Sequence, residues 1–525
     1  MPRSPFLVPA RLAWLPIVPS LALAFFTAAF FGVRLLHGIW FEPFGDESSH
    51  LVGGWMLDEG GILYRSFVEQ HGPFIFMLTQ AYGAVFGWAH ANWVRAIPAC
   101  MAIVSVASVS ASGALPGALT RLWAATFYAG LLACVWLMQA LYMVNYHAVA
   151  GFMLVTALAL FIIPSLLGAR VPAWRAAVAG ACGVLVVATA YSFGPAVVLS
   201  GAAGLWSAAR TGNIGTIKGY MAGCAAAVLV MLAWMLRFGD IVGYLAFHFA
   251  ENQFVFAPYA NVSWHSFLQS LVPSTEPGHV VHTLALTCCA AGFVILPLEN
   301  KLRGGRQAVA VTVCFVGIAT LCARGTLFQD GCFLIASLAI FSLALPVIWV
   351  RAWPIARMWS PLVGCGVIAV SIAVVEIGLR QYAVNSPFGQ TRERAILATP
   401  SNLGESDISI FARIRDLTKP DDRILAVPFS PDVYMAAHRL PMDGYHYYMP
   451  WDAVYAQSPW FGKRRDFCGD VAKTPPQLIY FDHVAVWDHW PMEVYAPCFI
   501  EYLNKHYKRQ TDFPNLYVRS SELPN

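Results

Sequence analysis

Apolar residues in this chain run in long stretches joined by short polar links, instead of recurring at the spacing of one helix face. Such runs lie at approximately 13–36, 92–115, 122–143, 148–168, 174–192, 194–209, 217–237, 279–298, 307–323, 331–350 and 359–379. A bilayer core takes about 20 mostly apolar residues per helix. The pattern therefore predicts a polytopic α-helical membrane protein with about 11 transmembrane helices, 11–13 as the outer bounds. The pair 174–192 and 194–209, split by Ser192-Phe193-Gly194-Pro195, also reads as a broken or re-entrant hairpin. The first run lacks a small-residue cleavage site and reads as a retained span.

The links carry a charge bias. One set of helix ends holds Arg3, Arg11, Arg121, Arg170, Arg175, Arg210, Lys218, Lys301, Arg303, Arg306, Arg351 and Arg357. The other set holds only Arg65, Arg95, Arg237 and Arg324. Lys and Arg collect on the cytoplasmic side of short loops. The N-terminus is then cytoplasmic and, after an odd number of spans, residues 380–525 lie outside. Two long outside loops, 37–91 and 238–278, belong to the membrane part, residues 1–379.

Composition sharpens this division. The 525 residues are 58% hydrophobic and 12% charged, with a net charge of +4. A soluble globular chain is nearer a quarter charged. The values exclude an ordinary soluble enzyme, a disordered chain and a nucleic-acid-binding footprint. Residues 380–525 nonetheless carry 33 of the 62 charges, as a water-exposed domain would. Ten of the twelve Cys lie in residues 1–379, mostly within apolar runs. Cys468 and Cys498 remain as a pair in the outside domain, a plausible disulfide in an oxidising compartment. No Cys-x-x-Cys or His/Cys spacing points to zinc.

The first outside loop holds six of the twelve acids of residues 1–379: Glu42, Asp46, Glu47, Asp58, Glu59 and Glu69. Acids beside a bilayer are costly unless they face water or a cavity. Leu51, Val52, Trp55 and Met56 share one helical face, which predicts a short interfacial helix after Asp46, ended by Gly60-Gly61. Asp46 stands where a carboxylate caps such a helix. A second apolar piece from Gly72-Pro73 to Phe86-Gly87 is short for a span and reads as another interfacial helix.

These residues carry a resemblance. Asp46-Glu47 just after the first span, a short amphipathic helix, the Gly60-Gly61 break, Tyr64-Arg65 and Glu69-Gln70-His71-Gly72-Pro73 resemble the GT-C superfamily of integral-membrane glycosyltransferases. The closest likeness is to the branch of protein O-mannosyltransferases and lipid A aminoarabinose transferases. The motif covers about fifty residues, and the span count and outside domain follow the same plan. The resemblance implies an inverting transfer of a sugar from a polyprenyl-phosphate carrier to an extracytoplasmic glycan, lipid or protein acceptor. It implies a bacterial inner membrane with the C-terminal domain in the periplasm. Phosphate is already a good leaving group, so the acceptor hydroxyl chiefly needs a base, and the leaving phosphate needs positive charge or helix N-termini. Donor lipid, acceptor and membrane lipids are the expected partners, without nucleic acid. The lipid-phosphate sugar is a substrate, no other cofactor is expected, and a metal requirement is left open.

The resemblance assigns roles by position. Asp46 matches the catalytic acid and is expected as general base, a plain helix cap being the alternative. Glu47 is open between binding acceptor, supporting Asp46 and standing as a solvated first-turn acid. Glu69 matches the acidic member of its stretch and is expected to orient His71 or a sugar hydroxyl. His71 stands where relatives often carry a basic donor-phosphate ligand, here with charge only part of the time near neutral pH. Arg65 is open between donor phosphate, Glu69 and lipid headgroups. Arg324 is expected as a second phosphate ligand or as the local partner of Asp330. Asn145 and His147 mark a polar outside turn that reads as sugar contact or hydrated turn, and His50 lies one helical turn from Asp46.

In residues 380–525, the segments 424–427 and 477–481 read as buried strands and 411–417 and 499–507 as helices, which predicts a small α/β domain. The aromatic stretch Tyr445, His446, Tyr447, Tyr448, Trp451 and Trp460 suits carbohydrate stacking or packing on the membrane face. Two other functions compete: a polymerase or ligase moving a lipid-linked oligosaccharide, and a secondary transporter. The transporter predicts internal repeats with matching broken helices, and one break, at Gly194-Pro195, is visible.

Overall fold

The computed structural model describes residues 17–39, 46–88, 91–137, 140–260, 263–274, 279–299, 305–322, 331–352, 360–385 and 405–520. Within them, seven helices are long and apolar enough to cross a membrane: Ile17–Ile39, Ala91–Ser110, Ala118–Val135, Tyr146–Leu166, Tyr191–Arg210, Ile214–Phe238 and Leu362–Arg380. Four further apolar runs of the sequence form the helices Ala173–Thr189, Val280–Glu299, Gly305–Ala319 and Gly331–Ala352. By length and composition, seven of the eleven expected runs therefore qualify as spans among the described residues.

We label the elements used below as follows: α1 (Ile17–Ile39), α2 (Asp46–Asp58), α3 (Pro73–Phe86), α4 (Ala96–Ser110), α5 (Tyr146–Ala157), α6 (Ala173–Thr189), α7 (Gly194–Arg210), α8 (Ile214–Phe238) and α9 (Tyr244–Phe256). The expected break between α6 and α7 is present. Ala190 is extended, Tyr191–Phe193 form a single 3-10 turn, and α7 restarts at Gly194 with Pro195 in its first turn, where proline loses no helical hydrogen bond.

Small residues set the closest helix contact. On α8, Gly219 and Gly223 lie one turn apart, against Ala173 and Ala177 of α6. A Cβ on Gly223 would stand 1.8 Å from the Ala177 carbonyl oxygen, and one on Gly219 would stand 2.2 Å from that of Ala173. Gly180 of α6 returns the contact against the Tyr220 carbonyl. Helices in lipid gain little from apolar burial, so close backbone approach through small residues supplies their packing.

Arg34 of α1 lies near the end of that helix. It forms an ion pair with Glu376 of the helix Ser360–Asn385, which neutralises two charges that lipid would penalise.

Residues 405–520 form a four-stranded mixed sheet with flanking helices. Its strands are β1 (Ile424–Val427), β2 (Leu478–Phe481), β3 (Tyr507–Arg509) and β4 (Leu516–Arg519), in the order β1-β2-β4-β3. β1 and β2 are parallel and the other pairs antiparallel. All four β1 side chains are buried, as a strand covered on both faces requires. Cys468 and Cys498 are joined in a disulfide.

The loop after α2 is stitched between the spanning helices and this C-terminal unit. Leu63 donates its backbone N–H to Phe238 at the end of α8, and Asp240 donates back to Leu63, both at 2.9 Å. Gly444 of the C-terminal unit donates to the Ser66 carbonyl at 2.7 Å. Gly72 donates to the Thr189 carbonyl at the end of α6, so close that a Cβ on Gly72 would lie 2.2 Å from the Ala188 oxygen. Only glycine fits there, and it fixes the approach of the preceding Glu69-Gln70-His71.

Candidate functional site

A cavity of about 260 Å³ opens where α2, the loop 69–71, the α6–α7 break, α9 and the C-terminal unit meet. Asp46, Glu69 and His71 form its polar wall. Tyr146, Tyr191 and Ser192 come from the spanning helices, and His248, Asn252 and Phe256 from α9. Phe429, Tyr447, Met449, Trp451 and Trp487 of the C-terminal unit close the far side. Ser192 and Trp487 are exposed and mark its rim. No Lys or Arg lines the cavity among the described residues.

Asp46 starts α2, where the helix N-terminus favours a carboxylate. Burial pushes its carboxyl up from the usual value, His71 draws it down and the Glu69 charge raises it. Burial outweighs the imidazole, so Asp46 holds a proton more readily than an ordinary aspartate.

Glu69 is buried and fully engaged. Its carboxylate faces His71 Nδ1 at 3.2 Å, accepts from Ser49 Oγ at 3.3 Å and accepts from the Tyr447 hydroxyl. Burial raises its carboxyl, but His71, by charge and by hydrogen bond, and then His446 and His50 outweigh that and hold it well below the usual carboxylate range. Glu69 is thus held as an anion while Asp46 keeps a proton more readily, two carboxylates set apart by their surroundings.

The histidines around this pair are mostly neutral. Burial, then His71, pushes His50 down to about 3. Burial pushes both His248 and His446 down to about 4. The His248 Nδ1 meets the Gln70 carbonyl at 2.6 Å, and Asn252 donates to the same oxygen at 2.7 Å. These bonds pin the 69–71 loop to α9. On the other side His446 Nε2 meets Ser49 Oγ at 3.0 Å.

The ligand atoms of His50, Glu69 and His71 lie within 4.8 Å of one another. His50 Nδ1 meets the Val144 carbonyl at 2.9 Å, while its Nε2 is buried without a hydrogen-bond partner. Two imidazoles and a carboxylate form a donor set able to hold a divalent cation.

The sequence-expected residues divide clearly. Asp46, Glu69 and His71 share the cavity. Glu47 does not line it: its carboxylate is buried and held by Arg95, which donates from Nη2 at 2.6 Å and from Nε at 3.0 Å. It also accepts from the Val144 N–H at 3.0 Å. Glu47 is therefore neither an acceptor ligand nor a solvated acid, because an arginine 48 positions away consumes its hydrogen-bonding capacity.

Arg65 is exposed and lies outside the lining. Asn145 is the cap of α5, accepting from Ala148 N–H at 2.8 Å and donating to the Ala140 carbonyl. Its amide thus holds the turn that starts α5 and does not line the cavity. His147 is buried against Tyr146 and Phe193, and Tyr146 takes the lining position. Arg324 and Asp330 lie outside the described residues.

Sequence reasoning missed Tyr447, which reaches Glu69 from 378 positions away. It also missed a buried ionic cluster under the cavity. Arg465 pairs with Asp452 at 2.6 Å and donates to the Gly444 carbonyl. Burial, and then the Asp452 charge, push the nearby Glu251 carboxyl of α9 well above the usual range. The aromatic stretch around Tyr447 was the sequence signal for this wall.

No protein-family model matches the chain, and no curated protein matches it. Among solved structures, the chain is similar to ArnT from Cupriavidus metallidurans bound to undecaprenyl phosphate. Identity is 14%, the match covers 82% of this chain and 86% of that one, and the TM-score is 0.47. It is also similar to the archaeal oligosaccharyltransferase AglB from Archaeoglobus fulgidus, in complex with an inhibitory peptide and a dolichol-phosphate. There identity is 12%, coverage is 95% and 75%, and the TM-score is 0.40.

Proposed function

We propose that this chain is an inverting membrane glycosyltransferase that moves a sugar from a polyprenyl-phosphate carrier to an extracytoplasmic glycan, lipid or protein acceptor. The observation that carries the reading is Asp46 facing the cavity beside the Glu69–His71 pair, its carboxyl raised by burial.

In the reaction, the Asp46 carboxylate takes the proton of the acceptor hydroxyl as that oxygen attacks the anomeric carbon. The bond from that carbon to the phosphate oxygen breaks, and its electron pair leaves with the phosphate. Direct displacement inverts the anomeric configuration. A base is most useful when its pKa is moved toward the working pH, and burial moves Asp46 that way. His71 stands where it can meet the phosphate, held by Glu69, which Tyr447 and Ser49 orient.

The cavity size favours a single sugar. Pockets for drug-sized ligands run about 300–1,000 Å³, and this one, at about 260 Å³, lies just below. A lipid-linked oligosaccharide needs more room, which sets the polymerase or ligase reading behind.

The test is an assay in nanodiscs with radiolabelled polyprenyl-phosphate sugar and envelope extract as acceptor source. Transfer with inverted configuration is expected, with kcat/KM falling as pH drops through a pKa above 3.8, the ordinary value for aspartate. The sign follows from the role: a base works only when deprotonated. Retention of configuration, or labelling from a nucleotide sugar instead, sinks the reading.

A further inference from the structure

The apolar surface of this protein does not stop where its spanning helices stop. On α8, Val228, Leu229, Leu232 and Leu236 are exposed, the face a spanning helix turns to lipid. The chain then bends at Gly239-Asp240 and passes through Ile241–Gly243 into α9, whose hydrogen bonding is of the wide π type. That winding brings residues four to five apart onto one side. Ile241, Leu245, Phe249 and Phe254 follow at that spacing, and each is 41–55% exposed.

The opposite side of α9 holds Phe247, His248 and Glu251, all buried against the cavity and the C-terminal unit. The helix is thus amphipathic in an inverted sense, with ionisable groups inward and apolar groups outward. In water such a stripe is unfavourable by roughly 25 cal/mol for each Å² exposed.

The C-terminal unit extends the stripe. Trp460 stacks on Phe254 with ring centroids 4.9 Å apart and planes 15° apart. Phe461 beside it is 56% exposed. Lys463 and Arg464 follow directly, and the Lys463 amine pairs with Asp240 at the start of the stripe. Arg237, over the Phe238 ring at 4.8 Å, adds a cation in the last turn of α8.

We propose that the outer stripe of α9 together with Trp460 and Phe461 is a bilayer-interface anchor that seats the C-terminal unit on the leaflet from which α8 emerges. Two observations select lipid as the occupant. The stripe continues the lipid-facing surface of α8 without a break in the chain. Its composition is that of a membrane interface, exposed Trp460 and Phe461 rings with the exposed Arg464 close behind in the chain. The anchor goes beyond the transferase reading and does not depend on it. It also has a consequence for that reading: Gln253, hydrogen-bonded to Tyr191 at the cavity, sits between Phe249 and Phe254, so the anchor holds this side of the cavity at the depth of lipid headgroups.

The test is photo-crosslinking of the full chain in nanodiscs of phosphatidylethanolamine and phosphatidylglycerol. Benzoylphenylalanine replaces Phe461 in one variant and Lys508 in another. Lys508 is exposed on β3, the sheet edge farthest from β1. After irradiation, intact mass is expected to show a phospholipid adduct at position 461 and none at 508. No adduct at 461, equal adducts at both positions, or crosslinking of 461 to a second copy of the chain overturns the proposal.

Discussion

Asp46→Asn is expected to reduce sugar transfer by about 10²–10⁴-fold, the range for losing a positioned general base. The substitution keeps the shape of the side chain and removes its ability to take a proton. Loss of folding is not the expected cause. The folded protein raises the Asp46 pKa above 3.8, so the fold favours the protonated form. That contribution is fully present below pH 3.8 and is lost as pH rises through the raised value. At neutral pH the ionised carboxylate therefore works against the fold, and a neutral Asn does not. Asp46→Asn is expected to unfold at or above the wild-type temperature in detergent, while transfer collapses and the acid limb of the pH profile disappears. Near-wild-type transfer by this variant removes Asp46 as the base.

The largest loss of stability is expected at Arg95. Its ion pair with Glu47 leaves both side chains only 1% exposed, and Arg95 Nη1 also donates to the Gly38 carbonyl at 3.1 Å. One guanidinium thus ties the end of α1 to the start of α2 and, through Glu47, to the turn before α5. Arg95→Met strands a buried carboxylate, and breaking a buried pair in this way costs about 3–5 kcal/mol. Removing both charges, in Glu47→Gln with Arg95→Met, is expected to recover much of that loss, because the penalty comes from the unpaired charge. Thermal unfolding of the single and double variants measures it. Because Glu47 adjoins Asp46, the single variant is also expected to lose transfer activity beyond what its folded fraction explains. A double variant no more stable than the single one contradicts this account.

The sequence made some of this legible and hid the rest for physical reasons. Long apolar runs marked the helices because lipid demands continuous hydrophobicity. The Asp46, Glu69 and His71 positions stood out because the first outside loop carries all three. The pairing of Glu47 with Arg95 was not foreseen because the partner follows α3 in the chain, and no local pattern announces an ion pair 48 residues long in sequence. Tyr447 and His446 were visible only as members of an aromatic stretch. Their meeting with Glu69 and Ser49 depends on how the C-terminal unit docks, which no periodicity encodes. Asn145 was left between sugar contact and turn because capping and ligand binding draw on the same polar side chains.

The central claim is that this cavity receives a polyprenyl phosphate. Native mass spectrometry of the protein, purified in mild detergent from its membrane, tests it most directly. The account predicts a bound species with the mass of a polyprenyl phosphate or its glycosylated form, and a marked loss of that species in His71→Ala. Binding of ordinary phospholipids alone, or a polyprenyl signal unchanged in His71→Ala, contradicts it.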